Sequence, residues 1–192
     1  MNICIFASGA GTNFEAILDS IYKGKLSSKV KLLFTNKSDC GAVDIAKKNS
    51  IDYKYINRKD FPLLTSTEFS GIYLSVLKKY EIDFIVLCGY MQIIPDEIIA
   101  EYKNKIINIH PSLLPEFGGK GMYGMNVHKA VIASGAMVSG ITIHFVSENI
   151  DEGEIIFQEK CDVGEDDDEF SLREKVRELE HKYYSEVIKR FE

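Results

Sequence analysis

The sequence predicts an α/β, Rossmann-like fold: a mostly parallel sheet with helices on both faces, and antiparallel strands added in the C-terminal part. Three observations lead there. Short apolar runs alternate with stretches of helical periodicity from Asn2 as far as His110. One of these runs, residues 82–88, is apolar almost without interruption, as a strand covered on both faces must be. Beyond Pro115 the alternation stops, and two strand-like runs follow each other directly, joined around residues 148–153 in a way that suits an antiparallel pair.

Taken in order, residues 2–7 form a first strand, and Ser8-Gly9-Ala10-Gly11-Thr12-Asn13 a glycine-rich turn. Phe14, Ile17, Leu18 and Ile21 then recur at helical spacing on one face. Residues 31–35 are a second strand, 41–49 a short helix and 53–56 a third strand. Phe69, Ile72, Val76, Leu77 and Tyr80 stripe another helix, the run 82–88 is the fourth strand, and 95–102 is a short helix with Pro95 tolerated in its first turn. A fifth strand follows, Ile106-Ile107-Asn108-Ile109-His110, and ends at Pro111, which has no N–H for a ladder. The glycines of residues 118–124 mark a loop. Residues 127–134 are helical, 139–146 and 154–161 are strands, and an acidic run at 165–169 precedes a last helix striped by Leu172, Val176, Leu179, Tyr183 and Val187. With no repeat, low-complexity segment or linker, the expectation is a single domain over residues 1–192.

The totals narrow the function. Hydrophobic residues make up 45% and charged residues 27% of the 192, ordinary values for a soluble chain able to bury a core. The net charge of −6 argues against a nucleic-acid partner, which calls for a basic patch. No apolar run approaches the roughly 20 residues needed to span a bilayer, and the N-terminal residues lack the basic stretch of a signal peptide. Cys4, Cys40, Cys88 and Cys161 are widely spaced, so neither a zinc site nor a redox pair is indicated. A reducing, cytoplasmic setting is expected.

The fifth strand carries the chemistry. Side chains two apart share a face, so Asn108 and His110 look out together at the strand's C-terminal end, where open α/β sheets bind ligands. An amide donor beside an imidazole can stabilise an oxyanion and move protons. A lone histidine at a strand end more often serves packing, and that reading stands beside the catalytic one. The glycine turn at residues 8–13 suits a phosphate, which helix N-terminal N–H groups favour. It fits a dinucleotide poorly, because Phe14 stands where a third small residue is wanted and no acid ends the second strand. The plain alternative is a tight turn with Thr12 or Asn13 as helix N-cap. Arg177 and Glu180 share a face of the last helix, as a surface ion pair would.

Asn108-Ile109-His110-Pro111-Ser112-Leu113-Leu114-Pro115 resembles, without a gap, the signature of the formyltetrahydrofolate-dependent formyltransferases. The resemblance extends from the glycine turn to the last helix. It implies direct transfer of a formyl group from 10-formyltetrahydrofolate, without a metal. Within that group the chain is similar to the members that formylate 5′-phosphoribosylglycinamide (GAR) in purine synthesis. The resemblance implies Asn108, His110 and Asp151 as catalytic residues, the last lying seven residues beyond His144. A carboxylate beside an imidazole favours the protonated ring. It implies GAR contacts from Gly11, Thr12, Asn13, Arg177 and Glu180. It implies folate contacts from Ser66, Met91, Gln92, Ile93, Ile94 and Asn108, and from Ser147, Glu148, Asn149, Ile150 and Asp151. His144 is expected to support these residues rather than react. The group usually carries Arg at the place of Gln92 and a basic residue near Ser66, which leaves the folate tail's charge contacts open. A tRNA-dependent member fits the acidic charge poorly. A deformylase would carry an extra domain ahead of the first strand, which here starts at Asn2. A non-catalytic phosphate-binding module would leave Asn108, His110 and Asp151 unexplained. The expected partners are these small molecules, with no nucleic acid and no membrane, for a monomer or homodimer.

Overall fold

The computed structural model describes residues 1–192. Its strands are hydrogen-bonded in the order β3-β2-β1-β4-β5-β6-β7, where β1 is Asn2–Phe6, β2 Lys29–Thr35, β3 Asp52–Tyr55, β4 Phe84–Leu87, β5 Ile106–His110, β6 Val138–Phe145 and β7 Ile155–Asp162. The helices are α1 (Thr12–Tyr22), α2 (Gly41–Lys48), α3 (Ser66–Lys79), α4 (Asp96–Glu101), α5 (Met125–Ser134) and α6 (Glu169–Lys189). The chain divides into two compact units, one of residues 1–107 with Glu192 and one of Asn108–Phe191.

In the first unit β1 pairs in parallel with β2 and with β4, and β2 in parallel with β3. Ile3, Cys4, Ile5 and Phe6 of β1 and Phe84, Ile85, Val86 and Leu87 of β4 are all buried, which is why both strands read as continuous apolar runs. Strand β3 stands at the sheet's end and is exposed throughout, so its sequence alternates less clearly. Phe6, Phe34 and Tyr73 pack ring against ring at centroid separations from 4.9 to 6.1 Å. Helix α3 opens on a reciprocal cap: Thr65 Oγ1 accepts the Glu68 N–H at 3.2 Å, and the Glu68 carboxylate accepts the Thr65 N–H at 2.8 Å.

In the second unit β6 and β7 are antiparallel, from Val138↔Asp162 to His144↔Ile155, with an irregularity between Ile143 and His144. Helix α5 begins at Met125, two residues before the expected start. The buried face of α6 runs Leu172, Val176, Tyr184, Val187 and Ile188. Tyr184, not Tyr183, is the fully buried tyrosine, because at 3.6 residues per turn a stripe drifts along the helix. Tyr183 packs instead against Phe157, 4.9 Å between centroids.

The acidic run opens α6. Asp168 is the N-cap and accepts the N–H groups of Phe170 at 2.9 Å and Ser171 at 2.8 Å. The Asp167 carboxylate accepts from Lys175, from the Gly164 N–H at 2.7 Å and from Ser171 Oγ at 2.8 Å. These bonds, that to Lys175 foremost, hold its pKa down to about 2. An unfolded Asp titrates near 3.9. The depressed group therefore stabilises the fold above about pH 4 and loses that contribution as pH falls towards 2. Asp167→Asn should lower Tm at pH 6 and bring the two proteins' Tm values together by pH 2, measured as Tm against pH.

Candidate active site

In the first unit the chain places β2 and β3 on one side of β1 and β4 on the other. The C-terminal ends of β1 and β4 thus flank a topological switch point, the usual ligand position in such sheets. The loops leaving these two strands are tied together. The Ser8 N–H donates to the Gly89 carbonyl at 3.1 Å, and the Met91 N–H donates to Ser8 Oγ at 2.8 Å. Gly11 has φ +80°, and a Cβ on it would fall 2.9 Å from Ala42 Cα, so the turn is seated against the start of α2. Neither Thr12 nor Asn13 caps α1. The N-cap is Gly11, which makes no side-chain cap bond, because its left-handed turn carries the chain into the helix with Thr12 already helical. Gly11 itself supplies no side-chain acceptor to the first turn of α1, and a helix N-terminus favours an anion.

Of the expected folate contacts in this unit, Ile94 is buried, while Met91 and Ile93 are exposed. Gln92 is held at both ends of its amide: Nε2 donates to Asn57 Oδ1 at 3.2 Å, and Oε1 accepts from the Tyr90 hydroxyl at 3.3 Å. Ser66 is exposed in the first turn of α3.

The second unit gathers Asn108, His110, His144 and Asp151. Asn108 and His110 share one face of β5, and His144 lies near the end of β6. Asp151 sits in the loop after β6 with φ +59°, a left-handed conformation that Asp tolerates better than most residues. Its Oδ2 lies 3.5 Å from His110 Nδ1, and its Oδ1 lies 3.7 Å from His144 Nε2. All three side chains are nearly buried, His110 at 4% and Asp151 at 11% exposure. His110 Nε2 donates to the Phe117 carbonyl at 2.8 Å. Both ring nitrogens of His110 thus face acceptors. Asp151 Oδ2 also accepts the Gly119 N–H at 2.9 Å. Asn108 Nδ2 lies 3.2 Å from His144 Nε2, and His144 Nδ1 2.9 Å from the Phe145 carbonyl.

Two further imidazoles, His144 and His128, have their pKa lowered. Burial pushes the His144 pKa down, against the opposing pull of the Phe145 carbonyl and the Asp151 charge. Burial likewise takes His128, on α5, down to about 4, with Arg173 and His110 adding to the effect. No cluster of three or more His, Cys, Asp or Glu is arranged to hold a metal ion, and no helix is long and apolar enough to cross a membrane.

The family described as formyl transferase matches residues 1–188. The chain belongs to that family. It is 45% identical over 188 residues to the chloroplastic phosphoribosylglycinamide formyltransferase of Vigna unguiculata, covering 97% of this chain and 59% of that protein. To the Arabidopsis thaliana protein of the same name it is 42% identical over 189 residues, covering 97% and 63%. The chain thus spans about three fifths of the length of these plant relatives. The crystal structure of phosphoribosylglycinamide formyltransferase from Bacillus halodurans superposes with a TM-score of 0.91 at 35% identity, covering 100% of this chain and 95% of that one. Glycinamide ribonucleotide transformylase 1 from Symbiobacterium toebii also gives 0.91, at 32% identity, covering 100% and 87%. The α/β, Rossmann-like fold of this chain is that of these solved structures.

The other expected contact residues divide between the two units. Gly11, Thr12, Asn13, Ser66 and residues 91–94 belong to the first unit, and Arg177, Glu180 and residues 147–151 to the second. Glu148, Asn149 and Ile150 are exposed, and Ser147 Oγ donates to the Asn149 carbonyl at 3.0 Å. Arg177 forms an ion pair with Glu174, one turn back along α6.

Several groups around the cluster carry no sequence signal. The Phe117 carbonyl and the Gly119 N–H are backbone atoms, and only the glycine-rich loop hints at them. Thr142 is fully buried and locks the segment after His110. Its Oγ1 donates to the Ser112 carbonyl at 2.6 Å and accepts the Leu114 N–H at 2.9 Å, while Gln158 Nε2 donates to both Thr142 Oγ1 and the Leu114 carbonyl at 2.9 Å. Gly153 is required by close approach: a Cβ there would lie 1.7 Å from the Phe145 oxygen.

Proposed function

We propose that this chain transfers the formyl group of 10-formyltetrahydrofolate to the glycinamide amine of GAR, giving formyl-GAR and tetrahydrofolate, a step of purine biosynthesis. The observation that carries the reading is the Asp151 carboxylate 3.5 Å from the His110 ring, with Asn108 on the same strand face, in a chain of the formyl transferase family. The relatives' names support the choice of GAR. The amine attacks the formyl carbon, and the carbonyl electron pair moves to oxygen. The Asn108 amide N–H stabilises that oxyanion, joined by the His110 Nε2–H once the formyl oxygen replaces the Phe117 carbonyl as its acceptor. As it collapses, the C–N bond to folate breaks, and a proton passes from the attacking nitrogen to the departing one by way of His110. Asp151 orients His110. The scheme requires no metal.

Gly11, Thr12 and Asn13 would hold the ribose phosphate, and Arg177 and Glu180 the rest of GAR. Ser66, Met91, Gln92, Ile93, Ile94 and residues 147–151 would contact folate. We take residues 1–192 to act as one formyltransferase domain, as a cytoplasmic monomer or homodimer without nucleic-acid or membrane partners.

The test is release of tetrahydrofolate from 10-formyltetrahydrofolate with and without GAR. GAR-dependent release is expected. GAR-independent release would identify a deformylase, and no release a binding module. A Thr12→Ala/Asn13→Ala protein should bind GAR at least ~10-fold more weakly by calorimetry, about the 1.4 kcal/mol that one lost charged hydrogen bond costs. Unchanged affinity would remove the turn from the phosphate site.

A further inference from the structure

We propose that His144 is the positioning residue for Asn108: its imidazole accepts the amide N–H of Asn108 at Nε2 and so decides which end of that carboxamide faces the transferred carbonyl. The other ring nitrogen sets the tautomer. His144 Nδ1 lies 2.9 Å from the Phe145 carbonyl, which can only accept, so Nδ1 carries the hydrogen. In the neutral ring Nε2 is then a bare acceptor. The atom 3.2 Å away on Asn108 must be a donor, which makes it the amide nitrogen and not the amide oxygen.

Two hydrogens sit on that nitrogen. One is spent on His144, and the other remains for a developing oxyanion. The opposite arrangement, with Nε2 carrying hydrogen, would draw the Asn108 oxygen towards the ring and swing the amide nitrogen off its present position. It would also let His144 bind Asp151, whose Oδ1 is 3.7 Å away. A His144 that only accepts at Nε2 leaves the Asp151 charge to His110, 3.5 Å from the other oxygen. One backbone carbonyl therefore sorts two imidazoles around one carboxylate: His110 faces acceptors at both nitrogens, and His144 faces one acceptor and one donor. Burial of the His144 ring supports the neutral form. Gly153 maintains the arrangement, since any side chain there would displace the Phe145 oxygen.

The tautomer can be read without any assay of turnover. Nitrogen-15 NMR of the histidine-labelled, unmodified protein near pH 7 should show His144 with hydrogen on Nδ1 and none on Nε2. A protonated Nε2 would overturn the proposal and leave the formyl-transfer reading standing. The kinetic arm rests on that reading. His144→Ala should lower kcat between about tenfold and a hundredfold, the range for a misplaced catalytic group, with the GAR Michaelis constant within about twofold. In an Asn108→Ala background the same substitution should cost less than about twofold, because its target is gone. An equal loss in both backgrounds would show that His144 does not act through Asn108, and would sink the idea. Should His144→Ala fold poorly, His144→Gln supplies the same cycle.

Discussion

His110→Ala lowers the rate of GAR-dependent tetrahydrofolate release by about a hundredfold or more, the usual consequence of losing one oxyanion donor, about 2.7–4 kcal/mol of barrier. Loss of proton transfer adds to this. The ring is nearly buried and its Nε2–H is the partner of the Phe117 carbonyl, so the substitution also leaves that carbonyl unpaired. The bond is part-buried, so its loss costs at most about 1–3 kcal/mol of stability. The two effects separate experimentally. The rate is measured well below the variant's Tm, and GAR affinity is measured by calorimetry, where little change is expected. Near-native turnover would exclude His110 as the proton carrier.

Gly153→Ala is the second large effect, and it comes from a single methyl group. The new Cβ would lie 1.7 Å from the Phe145 oxygen and 2.7 Å from its carbon, both backbone atoms that cannot rotate aside. The strand end must move, and with it the bond from the Phe145 N–H to the Glu154 carbonyl, now 2.9 Å, and the bond from His144 Nδ1. Overpacking of this kind costs about 3 kcal/mol or more, or a fall in Tm of roughly 6–12 °C for a chain of this size. Turnover should fall as well, because the carbonyl that orients His144 is displaced. The control is Gly71→Ala on α3, where a Cβ meets nothing within 4 Å. That change should raise stability by about 0.5–1 kcal/mol, as alanine does in a helix interior. Thermal unfolding of the two variants side by side is decisive: equal and small shifts would mean that the Phe145–Gly153 approach is not tight.

Much of the first unit is legible in the chain itself. The apolar runs of β1 and β4 announce strands covered on both faces, and the burial of every residue from Ile3 to Phe6 and from Phe84 to Leu87 is the reason. The helix stripes of α1 and α3 follow from periodicity. Boundaries are less legible. Lys29 and Val30 join β2 because β1 offers Asn2 and Ile3 as partners, although residue 29 is a lysine facing solvent. Helix α5 starts early at Met125, and the α6 stripe moves from Tyr183 to Tyr184.

The sequence by itself determined an alternating α/β chain with a proline-ended strand carrying an amide and an imidazole on one face, and a glycine turn ready for an anion. Those features depend on residue type and spacing a few positions apart, which local sterics and periodicity govern. Only the tertiary structure decided that Asp151 reaches both His110 and His144, that Arg177 pairs with Glu174, and that Gly11 rather than Thr12 or Asn13 caps α1. It also decided which imidazole faces acceptors on both sides, because that depends on the carbonyls of Phe117 and Phe145. Every residue but proline carries the same backbone donor and acceptor. Their direction is set by how distant segments pack, and no spacing of side chains encodes it.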